Sequence, residues 1–208
     1  MSIDLRASSS FSGTRPNSAG SPRDRLFLAV VPDADTAARV YQRAEVIRRA
    51  RKLEGDLIRP EHLHATLFFL GERDALPGHI ITRATEAAAA VKMPPFEVSF
   101  DRTVSFSGGR HNHPFVLLGS AGVERLKTFR QMLGASMMRN GLRHLVRASF
   151  MPHVTLLFDK QNVDEQPTEP ISWIVREFVL IRSLYRRTTH IHEARWPLRT
   201  CSGERQAQ

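Results

Sequence analysis

Two short segments of this chain carry side chains that could move protons. They are His64-Ala65-Thr66-Leu67 and, in the second half of the sequence, His153-Val154-Thr155-Leu156. An imidazole gains and loses a proton near neutral pH, and a hydroxyl two residues further on can donate a hydrogen bond beside it. One such tetrad is ordinarily a satisfied polar pair at a sheet edge. Two of them arise by accident on the order of once in a thousand similar chains. Each tetrad lies in an apolar run, so extended backbone puts His64 and Thr66 on one face with Leu67 and Phe69 on the other. His153 and Thr155 stand in the same way against Val154 and Leu156. Imidazole and hydroxyl are then about 6.5–7 Å apart along each strand. If the two halves pack around a pseudo-twofold axis, the His-Thr pairs face each other across one cleft. Opposed imidazoles suit in-line displacement at phosphorus, one taking a proton while the other gives one. Thr66 and Thr155 can donate to the non-bridging oxygens as charge builds on them. That scheme calls for no metal and no cofactor.

The elements that must position these groups are legible from periodicity. Leu26–Val31 reads as a buried strand ended by Pro32-Asp33, which starts a helix carrying Ala37, Val40, Tyr41, Ala44 and Ile47 at helical spacing. Gly55 and Pro60 break that helix before a strand from His62 to Leu70. A helix is predicted over Ile80–Val91, and Phe96, Val98 and Phe100 alternate as in a strand. In the second half, Pro114–Leu118 is a strand, and Val123, Leu126, Phe129, Leu133 and Met137 form a helical stripe stopped by Asn140-Gly141. Phe150–Phe158 is the next strand. Trp173–Ile181 and His190–Trp196 are expected as neighbouring antiparallel strands. Interleaved strands and helices in two comparable halves predict an α+β fold with an internal duplication. The folded domain is expected over residues 25–198, between a disordered Ser-rich tail at 1–24 and a flexible tail at 199–208.

The chain has 30 Lys and Arg against 21 Asp and Glu, a net charge of +9, which suits a phosphate-bearing partner but does not choose among RNA, DNA, nucleotides and anionic membrane. Cys201, the single cysteine, cannot form an internal disulfide and fits no metal-ligand spacing. No apolar run approaches the roughly 18 residues of a membrane span, and no secretory signal is recognisable. A soluble, cytoplasmic, monomeric protein is the expectation.

The motifs resemble the 2H phosphoesterase superfamily, and within it the RNA 2′,3′-cyclic phosphodiesterase group known as 2′-5′ RNA ligase-like. The resemblance spans the strand Arg25–Ala29, the motif Arg59–Gly71, the motif Phe150–Leu157, and the closing segments Ser183-Leu184-Tyr185 and Trp196-Pro197-Leu198. It implies a bilobal fold of two antiparallel sheets related by a pseudo-twofold axis around a central cleft, with helices outside. It also implies metal-independent hydrolysis of an RNA 2′,3′-cyclic phosphate end to a 2′-phosphate. By the same resemblance His153 activates water, His64 protonates the departing 3′ oxygen, and Thr66 and Thr155 hold the phosphate; the spacing itself accommodates either order. Two positions depart from the pattern. His62 stands where Asn is expected, and Phe158 where many members carry Arg, leaving Arg182, Arg186 or Arg187 to supply the phosphate contact.

Three other readings compete. His62/His64, His111/His113 and His190/His192 are His-x-His pairs that could ligate a metal, although no Cys or carboxylate completes a known spacing. Arg48, Arg49, Arg51 and Lys52 could be the footprint of a non-catalytic RNA-binding module, although such a run is usually a solvated helix end. Joining RNA ends through a 2′-5′ bond is an activity that the same site could support.

Overall fold

A computed structural model describes residues 24–72, 76–107, 112–184 and 189–199. The Ser-rich segment up to residue 23, His111, Tyr185, Arg186, Arg187 and residues 200–208 lie outside the described residues. The strands are β1 (Arg25–Val30), β2 (Ala65–Glu72), β3 (Phe96–Ser105), β4 (His113–Leu118), β5 (His153–Asp159), β6 (Gln166–Val175), β7 (Glu177–Leu184) and β8 (Thr189–Pro197). The helices are α1 (Ala34–Arg51), α2 (Gly78–Ala89) and α3 (Glu124–Arg139).

Two four-stranded antiparallel sheets result, in the orders β2-β1-β7-β8 and β5-β4-β3-β6. Each motif strand, β2 or β5, is therefore the edge of its own sheet, and the two edges contact each other. Each sheet also borrows from the other half of the sequence: β3 joins the second sheet, and β7 and β8 the first. The exchange occurs at Arg176, where the run expected as one strand from Trp173 to Ile181 divides. Trp173–Val175 pair with β3, whereas Phe178–Ile181 pair with β1 and β8. Hydropathy could not reveal this break, because Val175 and Phe178 are buried on both sides of it. The Arg176 carbonyl accepts from Leu198 N–H at 2.7 Å, which ties the crossover to the end of β8.

One continuous core fills the space between sheets and helices, including Leu26, Leu28, Phe100, Phe115, Leu117, Phe129, Leu133 and Phe178. α1 starts where Pro32-Asp33 predicts: the Asp33 carboxylate accepts from Thr36 N–H at 2.8 Å, an N-cap that satisfies one of the helix's unpaired donors. α2 and α3 pack together through small residues. Ala84, Ala87 and Ala88 are buried, and Ser136 Oγ donates to Ala87 C=O at 2.8 Å. Two smaller clusters lie on the opposite faces of the sheets. Phe27, Ala29, Val179 and Ile181 form one, and Val104, Phe106, Val116 and Leu118 the other.

Candidate functional site

The two small clusters mark the faces on which the motifs meet, since Phe27 stacks on His64 with ring centroids 4.9 Å apart, and Phe106 meets His153 edge-on at 4.9 Å. His64 is the residue immediately before β2 rather than part of it; a short 3-10 turn over Pro60–His62 delivers it. His153 opens β5, so the stretch Phe150–Pro152, expected as strand, is instead a lead-in. The two imidazoles are fixed identically. His64 Nδ1 donates to the His62 carbonyl at 2.7 Å, and His153 Nδ1 to the Met151 carbonyl at 2.8 Å. A carbonyl can only accept, so each neutral ring carries its proton on Nδ1 and presents a bare Nε2.

The strands break regular alternation at the same point. The partner of Leu28 is Phe68 and that of Ala29 is Thr66, which leaves Leu67 as an extra residue in β2. In β5, Phe115 is opposite Leu157 and Val116 opposite Thr155, which leaves Leu156 extra. A bulge at the Leu of each tetrad shifts everything after it by one face. Hence Phe68 and Leu157 turn into the core beside Leu67 and Leu156, and Phe69, expected among the core residues, is 39% exposed. Thr66 and Thr155 precede the bulges, remain half-buried, and share the site face with the histidines.

Each bulge is held by the other half of the molecule. Leu156 C=O accepts from Ile58 N–H at 2.7 Å, within the lead-in to the first motif. Leu67 C=O accepts from Arg130 Nε at 3.0 Å, and Arg130 Nη2 donates to Arg147 C=O at 2.9 Å in the lead-in to the second. The Arg130 guanidinium is buried between the Phe68 and Phe150 rings, 4.5 and 4.4 Å from their centroids, and burial lowers its pKa. Gly55 allows the first lead-in to lie against β5: a Cβ there would sit 1.9 Å from the Phe158 carbonyl oxygen. Asp159, buried at the end of β5, accepts from the N–H groups of Glu54, Gly55 and Gln161 at 2.6, 2.8 and 2.8 Å. Burial pushes its carboxyl up, and these donors outweigh burial and hold it below its ordinary value.

The electrostatics are not symmetric. Around His64 stand Phe27, His62 and His190, with His190 5.3 Å from His64 and 4.5 Å from His62 between centroids; the ring contact at His153 is with Phe106. Burial, together with repulsion from His153, His62 and His192, pushes His64 down to about 4, despite its hydrogen bond to the His62 carbonyl. That His153 repels His64 places the two imidazoles within electrostatic reach of each other. His153 is also lowered by burial, and its bond to Met151 partly restores it. His190 is pushed down to about 3 by burial and by repulsion from His64, His62 and His192.

The chain resembles proteins already known, both in sequence and in fold. A family model described as the 2′-5′ RNA ligase superfamily matches residues 34–186, which includes both tetrads and the lead-ins that hold them. The chain belongs to the 2′-5′ RNA ligase superfamily. Among solved structures of similar fold, Escherichia coli LigT complexed with 3′-AMP is 26% identical with a TM-score of 0.65, covering 86% of this chain and 99% of LigT. LigT complexed with phosphate is 26% identical with a TM-score of 0.64, over 86% and 100% of the two chains. The Thermus thermophilus protein TT0787 shares the fold, at 23% identity and a TM-score of 0.67, over 85% and 98%. No curated protein sequence matches this chain. The two sheets with their edge strands in contact are the bilobal α+β architecture of these 2H phosphoesterase neighbours.

Sequence reasoning named His64, His153, Thr66 and Thr155 as candidates, and the structure brings the two strands that carry their tetrads into contact where the sheets meet. It missed Phe27, Phe106, Arg130, Gly55 and Asp159. Only Gly55 had a local signal, and it was read as a helix stop. Arg182, considered as a phosphate contact, is engaged by Asp24, with Nε–Oδ2 at 2.7 Å. The His-x-His pairs do not act alike. His192 Nδ1 accepts from Arg195 at 2.6 Å, and His111 lies outside the described residues. Among the described residues no group of three or more His, Cys, Asp or Glu is arranged to hold a metal ion, and no helix is long and apolar enough to cross a membrane.

Proposed function

We propose that this protein opens RNA 2′,3′-cyclic phosphate ends to 2′-phosphomonoesters, with His64 and His153 as the acid–base pair and Thr66 and Thr155 holding the phosphate. The observation that carries the reading is the repeated presentation of a bare Nε2, each ring turned by a hydrogen bond to the carbonyl two residues before it. Membership of a superfamily with phosphoesterase and RNA ligase-type activity supports the reaction class. The LigT complexes with phosphate and 3′-AMP support a nucleotide phosphate as the ligand.

In this mechanism a water attacks phosphorus and one imidazole takes its proton through Nε2. The bond from phosphorus to the 3′ oxygen breaks as the other ring, protonated, delivers a proton to that oxygen. The products are a 2′-phosphate and a free 3′-hydroxyl. The Thr hydroxyls donate to the non-bridging oxygens, where negative charge accumulates. Burial among Phe27, His62 and His190 keeps His64 neutral, which suits the base and leaves the acid to His153, whose ring contact among the described residues is with Phe106. Environments that drive two pKa values apart assign the roles in this way. This order is the reverse of the one the family resemblance implies.

If the 5′-hydroxyl of a second RNA replaces water, the same bond cleavage yields a 2′-5′ linkage, and the superfamily's description favours this as a second activity. The deciding experiment supplies an RNA ending in a 2′,3′-cyclic phosphate, in EDTA, and identifies the product end by phosphorus NMR. A 2′-phosphate is expected. A 3′-phosphate, or no product from folded protein, refutes the proposal.

A further inference from the structure

Residues 125–158 contain six Lys and Arg and no Asp or Glu, so this window holds +6 of the chain's net +9. It runs from the first turn of α3 through the lead-in to His153 and on to Phe158 in β5. Arg139, Arg143 and Arg147 within it are exposed, as are His144, Ala148 and Ser149. Four other arginines are paired with carboxylates: the exposed Arg49 with Glu45 and Arg195 with Glu177, and the half-buried Arg43 with Glu169 and Arg102 with Glu165. Among the described residues no ion pair involves Arg139, Arg143 or Arg147. An uncompensated basic surface costs self-repulsion, and an anionic partner removes that cost.

The position of the surface says which anion. Arg147 precedes His153 by six residues, a span of at most about 20 Å of extended chain. Its backbone carbonyl is also tied through Arg130 to the Leu67 carbonyl, next to Thr66, by bonds of 2.9 and 3.0 Å. The segment that bears these exposed arginines therefore runs from the last turn of α3 to a backbone carbonyl tied beside the first motif and six residues short of the second. The Arg83 guanidinium of α2 lies beside Gly141 and extends the same surface. A mononucleotide held at the histidines has no phosphate to place there, whereas an RNA strand has one on each residue behind its terminal phosphate.

We infer that Arg139, Arg143 and Arg147 form a track for the sugar-phosphate backbone of the RNA whose cyclic end enters the site, which makes an oligonucleotide the preferred substrate over a mononucleotide. The inference rests on the reading in "Proposed function". Contacts to three phosphates of a single strand give a salt slope of about −0.7 each, near −2 in all. Raising salt from about 50 to about 200 mM then lowers kcat/KM on an RNA by roughly sixteenfold.

The test compares a ten-nucleotide RNA ending in a 2′,3′-cyclic phosphate with adenosine 2′,3′-cyclic monophosphate. The enzymes are the full chain and its R139Q/R143Q/R147Q variant, across that salt range. The triple variant is expected to lose tenfold or more in kcat/KM on the RNA at low salt, to lose most of its salt slope, and to keep its rate on the mononucleotide. The unchanged mononucleotide rate reports that the variant is folded. Equal losses on both substrates, or an RNA rate indifferent to the variant and to salt, overturns the track while leaving the hydrolytic reading intact. Failure of the unsubstituted protein to open either substrate overturns both.

Discussion

Replacing the bridging 3′ oxygen of the cyclic phosphate by sulfur separates the roles of the two histidines. A thiolate leaves without a proton, so the general acid becomes dispensable while the base does not. With His64 at about 4, its protonated fraction in the free protein at pH 7 is about one in a thousand, too small for the resting acid. His153 is lowered by burial as well, and among the described residues its ring contact is with Phe106 alone. The loss of a positioned acid or base costs roughly 10²–10⁴ in rate. On the oxygen substrate both His64→Ala and His153→Ala are expected to lose about 10³. On the sulfur substrate His153→Ala should recover to within about tenfold of the parent, and His64→Ala should stay near its original deficit. Single-turnover rates at saturating protein, followed with a thiol reagent, read the chemical step directly. Recovery of His64→Ala instead restores the order implied by the family resemblance. Recovery of neither shows that sulfur alters the step, or that the pair does not divide acid and base between them.

Other perturbations test how the site is held. Gly55→Ala places a Cβ against the Phe158 carbonyl and should destabilise by more than about 1 kcal/mol in urea unfolding, with loss of activity in the fraction that folds. Asp159→Ala leaves the donors of Glu54, Gly55 and Gln161 without their charged acceptor, and a cost of about 3 kcal/mol is expected; a change under about 1 kcal/mol would contradict the anchoring role. Arg130→Met removes the ties to Leu67 and Arg147, and should lower kcat on a cyclic phosphate more than it raises KM, because it displaces the strand carrying Thr66 rather than a substrate contact. Stability should also fall with acid. The unfolded His64 imidazole takes a proton below 6.5 while the folded one stays neutral to about 4, so its contribution is complete above 6.5 and is lost as pH falls through that window. Between pH 7 and 5 the loss is on the order of 2 kcal/mol, and His64→Leu should show a visibly smaller decline in urea unfolding free energy.

The parts of the fold visible in the sequence were those written in local patterns. The Pro32-Asp33 start of α1, the stripe of α3 and the Asn140-Gly141 stop each depend on neighbours within a turn of chain, and the structure places them there. The two tetrads were visible because they repeat. What stayed hidden depends on partners distant in sequence. The division of the Trp173–Ile181 run is made by pairing with β3 on one side and β1 on the other, which hydropathy does not encode. The bulges at Leu67 and Leu156 escaped for a related reason: after an apolar tetrad come Phe68-Phe69 and Leu157-Phe158, runs that are apolar in either register. Arg130 looked like one cation among many on α3, since nothing nearby in sequence shows that Phe68, Phe150 and Leu67 C=O surround it.

The bulges also explain why the duplication is a single unit. Each Leu carbonyl at a bulge lies on an edge strand, and its donor comes from the opposite half: Ile58 for Leu156, Arg130 for Leu67. A lone half would expose that carbonyl and leave the lead-in to its own histidine without its support. The lead-in to His64 lies on β5, and the lead-in to His153 is tied to β2 through Arg130. Setting one imidazole therefore requires the other half to be folded. Such reciprocal support holds the two rings to a common geometry, the condition that in-line chemistry at one phosphorus imposes. The asymmetry that assigns their roles is then added by residues outside the repeat, His62 on the 3-10 turn and His190 on β8, without disturbing the shared frame.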